Sequence, residues 1–383
     1  MGDGLLFPTS ARVVAACALA VVVLGAVVAK GSEPSARSRL RAVMEADLRS
    51  DPAIPGEALA VRAPGLKVAL AVGDADTATG SPLTPDTPFR IASVTKTFVA
   101  AAMLRLVEMH EVDLDAPVTS YLSPESLATL RRGGYDVDRI TVRQLLRHTA
   151  GLYDYASSDA YDRANEADPA HRWTPAEQLA FAVDHGAPVA QPGETFHYSD
   201  TGYVLLGEII ERVTGEPLAA AVRRLLHFER LGLVDTAWER LEPPPPGALP
   251  TAHQYADDFD GATLDPSFDL YGGGGLVSTV ADVTTFFRAL FHGEVFDDPA
   301  TLDTMTAVEG AGRADGAAMG LFVDTVAGER CFEHPGYWGT VATYCPRLDL
   351  AFARTINQAD DEDFDYRRLD RAVVGAARSN AAG

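Results

Sequence analysis

The chain has 383 residues, of which 47% are apolar and 22% charged, a composition that folds around a core and is not that of a disordered segment. Its formal net charge of -22 argues against nucleic acid as a partner and sets the folded surface against anionic membranes. The length suffices for one large core or for two closely packed subdomains.

In chain order, Arg12 precedes an apolar run from Val13 to Ala29, slightly short of the ~20 residues a membrane span needs. Val27 and Ala29 fit the small-residue pattern ahead of a signal-peptidase cut. Residues 1–29 are expected to be a cleaved signal or an uncleaved anchor, either of which puts the body of the protein outside the cytoplasm. Membrane contact is expected through this segment alone. Residues 30–38 read as a flexible linker, and an amphipathic helix is expected over about 38–49. Two strand-like runs follow, Glu57–Arg62 and Leu66–Val72, joined by the turn signal Ala63-Pro64-Gly65. Phe98, Val99, Ala102, Leu106 and Met109 recur at helical spacing and predict a helix from Thr95 to about Glu111.

The middle, about 112–290, reads as helix and loop, including helices over Thr201–Thr214 and Val280–Phe291. Short strands return over Gly320–Val326, Arg330–Glu333, Val341–Cys345 and Leu350–Ile356. The acidic run Asp360, Asp361, Glu362, Asp363 and Asp365 reads as a solvated loop, and a last helix is expected over about 366–377. Strands at both ends of a helical middle predict an α/β fold: one sheet built from both termini, with an inserted helical subdomain at about 112–270 of a domain spanning 39–383. No internal repeat is visible. Cys17 belongs to the N-terminal segment. Cys331 and Cys345 flank a turn containing Gly336 and Gly339, and are expected to be either a disulfide across that hairpin or two buried thiols.

The chain has only three lysines, Lys30, Lys67 and Lys96, among 32 basic residues. A lysine kept inside an apolar helical pattern invites a chemical reason. Arginine cannot lose its proton at usable pH, whereas a desolvated lysine can, and a general base must. Ser93 lies three residues before Lys96. If the helix starts at Ser93, nearly one turn separates them and Oγ and Nζ share a face. The helix N-terminus would favour negative charge developing there. This is a serine–lysine solution to activating a poor nucleophile; the bland alternative is that Ser93 is only a helix cap.

The segment Phe89–Ala100 (FRIASVTKTFVA) resembles the nucleophile segment of the serine β-lactamase-like, penicillin-recognising family, which includes class C β-lactamases, D-alanyl-D-alanine carboxypeptidases and related esterases. The likeness extends over Pro82–Phe89 and Val112–Leu122. Further on, Leu145–Leu152 (LLRHTAGL), Pro192–Gly207 (PGETFHYSDTGYVLLG), Tyr271–Thr279 (YGGGGLVST) and His334–Gly336 (HPG) resemble its later motifs in the same order. The resemblance covers about residues 45–358. It implies an antiparallel sheet flanked by N- and C-terminal helices.

It also implies that Ser93 attacks the substrate carbonyl, Lys96 takes its proton, and Tyr198 shares the base role and passes a proton to the leaving group, its phenol lowered from ~10 by Lys96. His334 would line the cleft and polarise the proton network. The backbone N–H groups of Ser93 and Tyr337 would form the oxyanion hole, beside Gly336. His148 and Gly272–Gly275 would be scaffold, the glycines serving positive φ.

Two departures stand out. Asp200 replaces the usual asparagine; an ionised Asp cannot donate to a substrate carbonyl, and near Lys96 it would hold the ammonium charged. Pro335 replaces a threonine that helps bind a terminal carboxylate. Three functions are compatible with this pattern: a D-alanyl-D-alanine carboxypeptidase acylated by penicillins, an esterase or D-aminopeptidase, and an idle binding module. The expected partner is a small peptide, β-lactam or ester substrate. With no HExxH motif, no ligand spacing among the nine histidines and no P-loop lysine, neither metal nor cofactor is expected.

Overall fold

The computed structural model describes residues 35–359 and 364–381. The apolar segment 1–29, the start of the linker, and Asp360 to Asp363 of the acidic run lie outside them. Among the described residues, no helix is long and apolar enough to cross a membrane.

Helix α1 (Ala36–Ser50) begins earlier than the sequence pattern predicts, so residues 36–38 are helix rather than linker. The reason is a cap: the Ser35 hydroxyl oxygen accepts the Ser38 N–H at 3.2 Å. Strands β1 (Gly56–Ala63) and β2 (Leu66–Asp76) form the expected hairpin, with Ala63 opposite Leu66 and Gly65 in the left-handed region that the two-residue turn requires. A short β3 (Ser81–Pro82) follows. The C-terminal half contributes β4 (Phe322–Val326), β5 (Glu329–Gly336), β6 (Thr340–Cys345) and β7 (Leu350–Thr355). The order across the sheet is β3-β2-β1-β7-β6-β5-β4, antiparallel throughout. The β1–β7 pairing, with Ala58 opposite Thr355 and Val61 opposite Phe352, closes one sheet from the two ends of the chain.

Both faces of that sheet are covered. Leu59 and Val61 point to a core shared with Leu40 and Met44 of α1 and with Val373 and Val374 of α5 (Arg367–Ala381). Ala58 and Ala60 point the other way, into the large core that holds α2 (Thr95–Glu108) and α4 (Val280–Phe291). This explains why β1 lacks an apolar–polar alternation: its residues from Gly56 to Val61 are buried on both sides. α2 is buried from Thr95 to Leu106 and ends at Glu108, short of the predicted Glu111, before His110 turns left-handed. α3 (Asp200–Thr214) and several shorter helices, among them Pro124–Arg132 and Pro175–His185, occupy the chain between the two halves of the sheet. Phe332 faces Tyr344 in the β5–β6 register, and Cys331 and Cys345, next along, are joined by a disulfide.

Candidate active site

Ser93 sits in a short 3-10 turn, Ala92–Val94, one step ahead of α2, and not at the first residue of the α-helix itself. The turn is anchored from behind. Phe89 and Arg90 pair with Ser278 and Val277, and the Ile91 N–H donates to the Leu276 carbonyl at 3.0 Å. Ala92 is held at φ 45°, a region that L-residues seldom occupy, and this sharp bend presents Ser93 at the surface of a cleft. The three-residue spacing still does what the sequence predicts: Lys96 Nζ donates to Ser93 Oγ at 2.7 Å.

Lys96 is fully buried. Its ammonium also donates to the Gly273 carbonyl at 2.7 Å and is ion-paired with Asp200. The rings of Tyr198 and Tyr203 lie 4.9 and 5.7 Å from Nζ. Burial opposes the charge, but the Asp200 carboxylate, with Tyr198 and Asp269 behind it, outweighs burial and holds the ammonium protonated well above the ordinary lysine range.

The Tyr198-Ser199-Asp200 triplet leads into α3 and is fastened to the 148–154 loop. The Ser199 N–H donates to His148 Nδ1 at 3.1 Å, the Asp200 N–H to Asp154 Oδ1 at 2.9 Å, and the Thr201 hydroxyl to the Tyr153 carbonyl at 2.7 Å. The His148 ring stacks on Tyr198 at 4.3 Å. His148 must be neutral to accept at Nδ1, and burial together with Lys96 pushes its pKa far down. The Tyr198 phenol is within hydrogen-bonding reach of both Lys96 and Ser93, but its pKa lies above the ordinary value. Burial raises it by more than Lys96 lowers it, so the expected net lowering is corrected.

The fourth member of the expected set arrives from the far end of the chain. His334 lies in β5 opposite Ala342, fully buried, its ring 6.3 Å from that of Tyr198. Its Nδ1–H donates to the Pro335 carbonyl at 2.7 Å, leaving Nε2 as an acceptor with no hydrogen-bond partner among the described residues. Burial and Lys96 push its pKa down to about 3, so it is neutral at physiological pH. Gly336 is required by close approach: a Cβ there would stand 2.6 Å from the Ile91 carbonyl oxygen. That contact brings the start of Tyr337 alongside the Ser93 turn, where the second oxyanion donor is expected. The Tyr337 side chain is 57% exposed at the cleft rim, its ring 4.8 Å from Trp338.

Ser93, Tyr198, Asp200, His334, Gly336 and Tyr337 thus line one cleft of about 880 Å³, with Lys96 beneath it. The glycine run needs a correction. Only Gly272 and Gly275 have positive φ. Gly273 and Gly274 are small for another reason: a Cβ at Gly273 would lie 2.6 Å from Asp200 Oδ1, and one at Gly274 2.0 Å from Asp269 Oδ2. Sequence reasoning missed the two further carboxylates here. Burial, then Asp200, pushes Asp154 up to about 6 and Asp269 up to about 7. The only local signals were their places just beyond the LLRHTAGL segment and just before the glycine run.

The family model described as Beta-lactamase matches residues 37–376. Among curated proteins, the chain is 31% identical over 362 residues to esterase EstB of Burkholderia gladioli, covering 84% of this chain and 89% of that one. Among solved structures, it is similar to a D-stereospecific amidohydrolase from Streptomyces sp., with a TM-score of 0.74, 28% identity and coverage of 89% of this chain and 98% of that one. It is also similar to D-amino acid amidase from Ochrobactrum anthropi SV3, with a TM-score of 0.73, 25% identity and coverage of 90% and 99%. The chain belongs to the beta-lactamase family and is a serine hydrolase of mixed α/β fold.

Proposed function

We propose that this hydrolase cleaves small esters and amides whose acyl part is uncharged or carries an amine, through an acyl-enzyme on Ser93, in preference to peptides that end in a free carboxylate. The observation that carries this reading is the charge lining the cleft. Asp162, Glu166, Asp257 and Asp269 contribute to its walls, beside Asp200 and Glu333, which are paired with Lys96 and Arg367. The two guanidinium groups there are already neutralised: Arg354 donates to Asp370 at 2.8 Å, and Arg367 to Glu333 at 2.7 Å. Pro335 offers no hydroxyl, and His334 is uncharged. Among the described lining residues a substrate carboxylate would enter a negative field without a free cation to meet it, whereas an ammonium would be drawn in.

The chemistry follows from the geometry. Ser93 Oγ adds to the acyl carbon, the backbone N–H groups of Ser93 and Tyr337 receive the oxyanion, and Tyr198 carries a proton between Lys96 and the leaving group. Similarity to an esterase, a D-stereospecific amidohydrolase and a D-amino acid amidase supports this substrate range. The test compares turnover of p-nitrophenyl acetate, D-phenylalanine p-nitroanilide, a D-Ala-D-Ala peptide and nitrocefin. Turnover of the first two, abolished by Ser93→Ala, is the expected result. Preferred cleavage of the D-Ala-D-Ala peptide would overturn the reading in favour of a carboxypeptidase.

A further inference from the structure

The Lys96 ammonium donates to Ser93 Oγ and the Gly273 carbonyl oxygen and pairs with the Asp200 carboxylate, with the Tyr198 phenol also within reach. In that state it has no lone pair and cannot take a proton from Ser93. One proton must first leave. A serine hydroxyl, a neutral phenol and a peptide carbonyl are too weakly basic to hold it, so among these acceptors only Asp200 can. We propose that Asp200 is the proton store of the reaction, and that the base acting on Ser93 is the Lys96–Asp200 pair and not the lysine amine alone. This rests on Ser93 being the acylated nucleophile.

The proton balance is closed within the site. Lys96 passes one proton to Asp200, giving a neutral amine beside a neutral carboxylic acid. A third of a turn about the Cε–Nζ bond then aims the lone pair at Ser93 Oγ. As Oγ bonds to the acyl carbon, its proton moves to Nζ and restores the ammonium. That ammonium, through Tyr198, protonates the departing alcohol or amine, and Asp200 returns its proton to Lys96. Nothing is gained or lost apart from the exchange of leaving group for serine.

Asp200 is one of three carboxylates crowded together: the Asp200 N–H itself binds Asp154, and Asp269 lies on the other side of the glycine run. The other titratable groups that face the pair are Tyr155, Tyr161, Tyr198 and Tyr203, all held as phenols by burial, and His148 and His334, both held neutral. Among the described residues, Lys96 is the cation that pairs with Asp200.

The test is the acid limb of kcat/KM for p-nitrophenyl acetate, recorded from about pH 5 to about pH 10. In the wild type, activity is lost when the pair takes a second proton. In Asp200→Asn the store is gone, and Lys96 must shed its proton to solvent before it can act. The expected result is an acid limb displaced by at least ~1 pH unit toward alkaline pH in Asp200→Asn, with a rate deficit of about tenfold for each unit below that limb and near-recovery above it. Asp200→Glu, which keeps a carboxylate, should retain the wild-type limb. An Asp200→Asn limb coincident with, or more acidic than, that of the wild type overturns the proposal. Turnover that survives Ser93→Ala is a different result and strikes the nucleophile assignment instead.

Discussion

Glu57 offers a test of how burial, with the charges around it, governs ionisation in this fold. It lies in β1, 1% exposed, and neither carboxyl oxygen has a hydrogen-bond partner among the described residues. Burial pushes its pKa from 4.5 up to about 8; Arg354 pulls down, while Asp47 and Asp370 push further up. Below the unfolded value both states carry the proton and the group is neutral in its effect. Between the two values the unfolded chain ionises and the folded chain does not, so stability falls as pH rises, by about 1.4 kcal/mol per pH unit. Across the whole gap the loss is on the order of 5 kcal/mol, complete once the folded group also ionises. Glu57→Gln keeps the shape and removes the ionisation. Urea unfolding of both proteins at about pH 5 and about pH 8 should show the variant gaining up to about 4 kcal/mol on the wild type between those points, since all other titrations cancel in the comparison. Stability curves that run parallel across this interval would refute the reasoning.

Other outcomes follow from the site. Lys96→Arg keeps a cation beside Asp200 but places there a group that cannot give up its proton, and kcat for p-nitrophenyl acetate should fall by about 10²–10⁴. Gly274→Ala would put a Cβ 2.0 Å from Asp269 Oδ2 and force that carboxylate aside. Its kcat/KM should fall further for D-phenylalanine p-nitroanilide than for the uncharged ester, a ratio read directly from steady-state kinetics. Replacing both Cys331 and Cys345 with serine removes a bridge over a sequence separation of 14 and should cost about 3 kcal/mol, seen as a lower Tm in thermal melts with ester turnover at room temperature retained.

Much of the site was readable in the chain because its chemistry is local. Ser93 and Lys96 are one helical turn apart, so spacing alone brings Oγ and Nζ together, even though the turn at Ser93 proved to be 3-10 and not α. The strand runs from Glu57 to Val72 and from Phe322 to Thr355 were legible for the same reason: each is a short apolar stretch bounded by its own turn residues. The start of α1 was misplaced because a serine cap at residue 35 outweighed a linker-like composition. Sequence-distant contacts were out of reach. Whether Cys331 and Cys345 are bonded depends on the β5–β6 register. That Gly273 and Gly274 serve close approach to Asp200 and Asp269 depends on α3 and the 265–270 segment meeting at the glycine run.

Residue types and motif spacing were enough to nominate the hydroxyl, the amine and the phenol as the candidate reacting groups. Their protonation depends on the folded surroundings. The charged Lys96, the raised Tyr198 phenol and the neutral His334 reflect how much water each has lost and which charges surround it, and both quantities exist only once β1, β5, α2 and α3 have packed into one body.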